Sequence, residues 1–217
     1  GTMLAVAALA LLAGSALGDM PNISCSFTAD ITLNAIYNYH RYTFNYKHYS
    51  SAGRVMRKVG EIPLGYPGNS SMMFRPPNNY YFLEPFFGRT VCSIVPLSIE
   101  FECFKLDNDA WRESYNITCP NDRSRRCDVW TFTNYKEDYI HYWIYTGTND
   151  LHKVKVAASF YDETYIFNSF DSHEPHPSIF EIPKDQPCID LVKDPSSSSS
   201  SSANDPALRM AMFAASK

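Results

Sequence analysis

Apolar and polar positions alternate along most of this chain. The clearest case is Lys153–Phe160, where Val154, Val156, Ala158 and Phe160 fall on one face and Lys153, Lys155 and Ser159 on the other. Successive side chains of a strand point to opposite faces of a sheet, so the pattern predicts a strand with one buried and one wet face. Ser24–Ile36 reads the same way, with Phe27, Ala29, Ile31 and Leu33 opposing Thr28, Asp30, Thr32 and Asn34. Within Tyr37–Tyr49, Tyr42, Phe44 and Tyr46 oppose Thr43, Asn45 and Lys47.

Further strands are expected at Arg54–Ile62, Ser71–Phe74, Tyr80–Leu83, Ile99–Leu106, Val129–Thr133, Tyr139–Tyr145, His152–Tyr161 and Thr164–Phe170. These runs are rich in β-branched and aromatic residues, and polar turns separate them. Arg89–Leu97 is open between a short helix and a strand, and Leu106–Cys127 reads as polar and irregular. Gly147 and Asn149 make 146–150 a hairpin loop.

Some strands look apolar on both faces, as in Tyr80–Leu83 and Tyr139–Tyr145. A sheet apolar on both sides must have both covered, either by another packed layer or by curling around an apolar cavity. With 15 Tyr, 14 Phe and 3 Trp, aromatic side chains are the main material available, and ordinary core and ligand cavity both remain open.

Residues 3–18 form an Ala- and Leu-rich run closing in small residues. It is short for a membrane span and predicts a secretory signal peptide at 1–18. Residues 19–194 then make a single β-rich disulfide-bonded domain, and the seven-serine run opens a disordered tail at 195–217. The cysteines Cys25, Cys92, Cys103, Cys119, Cys127 and Cys188 are even in number and suit disulfides in an oxidising compartment, with no pairing specified. Asn22, Asn69 and Asn116 head glycosylation sequons. The expected location is secreted or extracellular, including the lumen of the secretory pathway or lysosome. The formal net charge of −4 argues against nucleic acid as the main partner.

Catalytic signatures are sparse. No nucleophile elbow, His-Glu-x-x-His pair, phosphate loop or dinucleotide fingerprint occurs in residues 19–194. His173 and His176 flank a Glu-Pro step in a proline loop without a third ligand nearby, so no metal is expected. Asp162 and Glu163 read as a solvated hairpin tip. Arg123-Ser124-Arg125-Arg126 is either a solvated basic loop or a processing site; a Cys119–Cys127 bridge would hold the two pieces of a cleaved chain together. No catalytic residue and no cofactor is expected, and the chain is not expected to be an enzyme.

The order of motifs in the C-terminal half supplies a resemblance. Cys127-Asp128-Val129-Trp130 opens a strand, Trp143-Ile144-Tyr145-Thr146-Gly147 runs into a turn, and Tyr165–Phe170 leads through prolines to Phe180-Glu181-Ile182-Pro183 and Cys188. This resembles the ependymin-related secreted glycoproteins and the N-terminal extension of some papain-like cysteine protease precursors. Both are similar in fold to the lipoprotein carrier LolA. The cysteine spacing departs from the ependymin-related pattern, so no pairing carries over.

The resemblance implies a mainly β fold: a strongly curved antiparallel half-barrel with one or two short helices over an apolar cavity. It also implies binding of a lipid or other hydrophobic ligand there. Strand alternation puts Phe44, Tyr81, Leu83, Tyr142, Ile144, Val154, Val156 and Phe160 in the lining. The other reading is a non-catalytic interaction protein, such as an adhesion or surface glycoprotein or a propeptide-like protease inhibitor. Its partner would be another protein or a second copy in a homodimer.

Overall fold

The computed structural model describes residues 19–37, 39–52, 55–62, 70–75, 79–86, 89–96, 104–133, 139–158, 161–182, 184 and 188–190. Among them twelve strands form one sheet. They are β1 (Phe27–Tyr37), β2 (His40–Ser51), β3 (Val55–Gly60), β4 (Ser70–Arg75), β5 (Asn79–Phe86) and β6 (Arg89–Pro96), then β7 (Trp111–Cys119), β8 (Asp122–Thr133), β9 (Tyr139–Tyr145), β10 (Leu151–Ala157), β11 (Tyr161–Asp171) and β12 (Cys188–Asp190). The sheet order is β12-β6-β5-β4-β3-β2-β1-β11-β10-β9-β8-β7, so the sheet is curved and unclosed, with edges at β12 and β7.

Two meanders explain this order. The first runs outward from the centre through β1 to β6. The chain then crosses to the far edge and works back from β7 to β11, which pairs with β1. All pairs are antiparallel except β12 against β6.

Each long crossing covers one face. The segment joining β6 to β7 brings Phe104, Leu106 and Ala110 onto the face that carries Phe27, Ile31, Leu33, Tyr46, Trp130, Tyr142, Val154 and Phe167. Phe104 is the hub, 5.3 Å from Phe167 and 5.4 Å from Tyr165 between ring centroids, both edge-on, the arrangement that aromatic quadrupoles favour. The segment from β11 to β12 crosses the opposite face. There Ile179, Phe180 and Ile182 pack on Met73, Leu83 and Cys92. Arg57 donates to the Ile179 carbonyl at 2.7 Å, Arg75 donates to the Phe180 carbonyl, and Cys92 is bridged to Cys188.

Several expectations are corrected. Leu106–Cys127 is not irregular throughout: it contains β7 and the start of β8, an edge hairpin whose register shifts in three places. Bulges break the period of two, and exposure on an edge makes both faces polar, so alternation was not visible. Arg123, Arg125 and Arg126 therefore lie on a strand and are exposed, and the bridge across them, Cys119–Cys127, is present. Arg89–Pro96 is a strand. Asp162 and Glu163 lie within β11, whose first residue, Tyr161, accepts from Ala158 N–H at 3.0 Å. The expected strand Ile99–Leu106 falls mostly outside the described residues, and Phe104–Leu106 is not strand.

The helix expectation is also corrected. The described residues hold a single 3₁₀ turn, Pro177–Phe180, and it packs on the face away from the main core. His176 caps it, its Nδ1 accepting from Ser178 N–H, with proline supplying a preset φ at its first position. Cys25 is disulfide-bonded, and Cys103 lies outside the described residues. So do the expected signal peptide at 1–18, the tail at 195–217 and Asn69.

Candidate functional site

Register identifies the residues that share the main-core face. One row crosses six strands as Tyr42–Ala35–Glu163–Val156–Ile140–Phe132, and its neighbour as Phe44–Leu33–Tyr165–Val154–Tyr142–Trp130. Directly opposed residues of antiparallel strands lie on one face, so this follows from the backbone alone.

Burial divides this face into two ends. At the Phe27 end it is filled by Phe104, Leu106, Phe167 and Phe170. At the other end Tyr42, Phe44, Phe132, Ile140, Val156 and Tyr165 are only half-buried. Tyr42 and Phe44 stack at 6.1 Å, as do Phe132 and Tyr142 at 6.2 Å. This end is an open, largely apolar strip, called the trough below, with Glu163 in its middle.

Five of the eight expected lining residues therefore come together. Phe44 and Val156 are half-buried within the trough, while Tyr142, Ile144 and Val154 lie beneath it as core, 5%, 1% and 1% exposed. Tyr81 and Leu83 do not join them. They point to the opposite face and are covered by the β11–β12 crossing; on β5 it is Tyr80 and Phe82 that face the main core. With both faces of β5 apolar, alternation alone did not fix the side. Phe160 lies outside the described residues.

The sequence reading missed Tyr42, Phe132, Ile140 and Tyr165 as trough residues. Period-two spacing from Phe44 and Tyr142 was the available signal for Tyr42 and Ile140. It also missed a polar group on this face. Lys58 of β3 opposes His48 and Met72, so its side chain points inward, with the ammonium 5.2 Å from the Tyr46 ring centroid. Glu163, three strands away in the sheet order, acts on Lys58 electrostatically.

Burial pushes the Lys58 ammonium down to about 8, opposed by Glu163. Burial, then Glu163, pushes the Tyr46 phenol up. His48 is held well below its ordinary range by burial and then by Lys58. The Tyr165 hydroxyl donates to Glu163 Oε2 at 2.6 Å.

The opposite face carries two shallow depressions. One, of about 250 Å³, is lined by Asp30, Asn45, Lys47 and neighbours, with a Lys47–Asp30 ion pair at 3.7 Å. The other, of about 450 Å³, contains Glu113, His141, Trp143, Lys153 and Lys155. At its edge Thr131 donates to Glu113 at 2.7 Å, and His141 Nδ1 stands 3.0 Å from Thr131 and 3.2 Å from Glu113. The Thr131 bond, aided by His141, lowers the Glu113 carboxyl. Among the described residues no cluster of His, Cys, Asp and Glu could hold a metal ion. Nor is any helix there long and apolar enough to cross a membrane. His173 contacts Asp171, and Glu174 contacts Ser51.

The class defined by this geometry is an open, curved, almost purely antiparallel β sheet with one apolar trough. No family model and no curated protein sequence matches the chain. Among solved structures it is similar to an uncharacterized conserved protein from Thermus thermophilus. That protein is 11% identical, has a TM-score of 0.50, and is matched over 78% of this chain and 92% of its own. The likeness shows a shared fold. A LolA superfamily protein from Nitrosomonas europaea (9% identical, TM-score 0.37, covering 75% and 92% of the two chains) superposes more loosely. So does a DUF1329 family protein from Desulfovibrio piger (11%, 0.36, 73% and 90%). Nothing further rests on either of these.

Proposed function

We propose that the protein is a secreted, non-catalytic glycoprotein that binds a lipid or other hydrophobic ligand along the trough. One observation carries this reading: half-buried aromatic and aliphatic side chains of β2, β11, β10, β9 and β8 line one face of the curved sheet, across six adjacent strands. Six strands span about 24 Å at ordinary spacing, which suits an extended acyl chain. Burial would supply about 0.8 kcal/mol per methylene. The Cys92–Cys188 and Cys119–Cys127 bridges support an oxidising compartment, and the exposed Asn22 and Asn116 suit glycosylation. The resemblance noted in the C-terminal motifs points the same way.

Binding of a fluorescent fatty acid tests it. The intact protein should bind the probe, and a Phe44→Asp/Val156→Asp double variant should lose at least about tenfold in affinity, since burying an unpaired carboxylate is costly. Equal binding by the variant would remove the trough as the site.

A second reading rests on edge strand β7, where Trp111 and Tyr115 are 50% and 62% exposed. An edge strand carrying exposed aromatics can seat a protein partner or a second copy. Under this reading the chain is a non-catalytic interaction protein, adhesive or inhibitory. Concentration-dependent sedimentation and inhibition of a papain-like protease are its tests; a monomer without inhibitory effect would dispose of both forms.

A further inference from the structure

We propose that Lys58 and the Tyr46 hydroxyl form the polar end of the trough and take the carboxylate of a long-chain fatty acid. This rests on the hydrophobic-ligand reading above and names the ligand class. Two independent observations meet here. First, Lys58 is surrounded by protein on the main-core face yet only partly hidden from solvent, and its ammonium forms no ion pair among the described residues. Second, Tyr46 is 4% exposed, and its hydroxyl is a buried donor without a hydrogen-bond partner there. A buried polar group without a partner calls for an explanation, and a ligand oxygen supplies one.

The donors set the class. One ammonium and one phenol hydroxyl can serve the two oxygens of a carboxylate, and the charge balance is one to one. A phosphate monoester dianion would bring a second charge towards Glu163. The groups around Lys58 are Tyr46 and His48 on β2, Glu163 and Tyr165 on β11, the apolar Met72 on β4 and, further along the face, Glu84 on β5. Glu163 is engaged by the Tyr165 hydroxyl, and its negative charge favours the protonated form of Lys58 against the stronger effect of burial. The acyl chain would then run from β3 towards the open rows at Phe44 and Val156.

Oleic acid and oleyl alcohol separate the head from the tail, because they share a chain and differ at the polar end. The intact protein should bind the acid about tenfold or more tightly than the alcohol at neutral pH, as expected for hydrogen bonds to a charged group. Lys58→Met should abolish that preference by weakening acid binding far more than alcohol binding. Tyr46→Phe, which removes one hydroxyl and keeps the ring, should reduce the preference; circular dichroism would verify the fold of both variants. The preference should also fall as pH rises through about 8, where Lys58 loses its charge, and should be pH-independent in Lys58→Met. Equal binding of acid and alcohol, or a preference that survives Lys58→Met, would overturn the carboxylate site and leave the trough. Binding of neither would overturn the trough reading and this proposal with it.

Discussion

Gly60 ends β3 with φ +133°, and a Cβ there would stand 2.6 Å from the Asn45 carbonyl oxygen. That oxygen already accepts from Glu61 N–H at 2.9 Å. The backbone approach is fixed and cannot yield cheaply. Gly60→Ala should therefore cost about 1–3 kcal/mol or more, read as a lower urea midpoint at unchanged slope. Lys58 makes the opposite prediction. A lysine whose pKa is lower in the folded than in the unfolded state opposes folding while charged. Stability should thus rise as pH climbs from about 8 towards the ordinary lysine range, where the unfolded chain alone still binds the proton. Lys58→Met should raise stability near pH 7 by on the order of 2 kcal/mol while losing selectivity for the acid. A flat urea profile across that pH window would contradict the burial of Lys58. Neither feature was legible beforehand. The strand expected at Arg54–Ile62 does not say which of Arg57 and Lys58 faces the core; pairing with His48 and Met72 turns Lys58 inward.

At the scale of elements, alternation worked where one face is wet. β1, β2 and β10 have the faces their sequences specify, with Val154 and Val156 inward and Lys153 and Lys155 outward. It failed where both faces are apolar or both are exposed. In β5 both sides are packed, Phe82 against the main core and Leu83 under the β11–β12 crossing. In the β7–β8 hairpin, bulges and edge exposure erased the period. These placements give separable outcomes. Leu83→Ala should lower stability by about 2–5 kcal/mol without changing ligand affinity. Phe44→Ala should weaken ligand binding and cost less stability, because Phe44 is only half-buried. Fatty-acid titration and urea denaturation of the two variants check both. The β11–β12 crossing is held by Cys92–Cys188, 96 residues apart in sequence. Cys92→Ser/Cys188→Ser should cost about 4–5 kcal/mol on the loop-entropy account, seen as a lower melting temperature.

For the whole molecule, the sequence indicated a mainly β chain with disulfides, but not the strand order. Two outward and inward meanders meeting at β1 and β11 are a long-range arrangement: β1 pairs with a strand more than a hundred residues later, as in Thr28 against Asp171. Local periodicity carries no information about such a contact. The curvature was likewise indicated only by the resemblance of the C-terminal motifs and by strands apolar on both faces. In the structure one crossing fills the Phe27 end of the main-core face and the other covers the opposite side of β3–β6, leaving the Phe44–Val156 end open. This end should receive a hydrophobic ligand. Native mass spectrometry of the protein secreted from a eukaryotic cell tests it most directly. A population heavier than the ligand-free chain is expected, with the excess mass released on denaturation as an apolar molecule. A mass matching the unliganded glycoprotein alone, together with no uptake of added fatty acid, would contradict it.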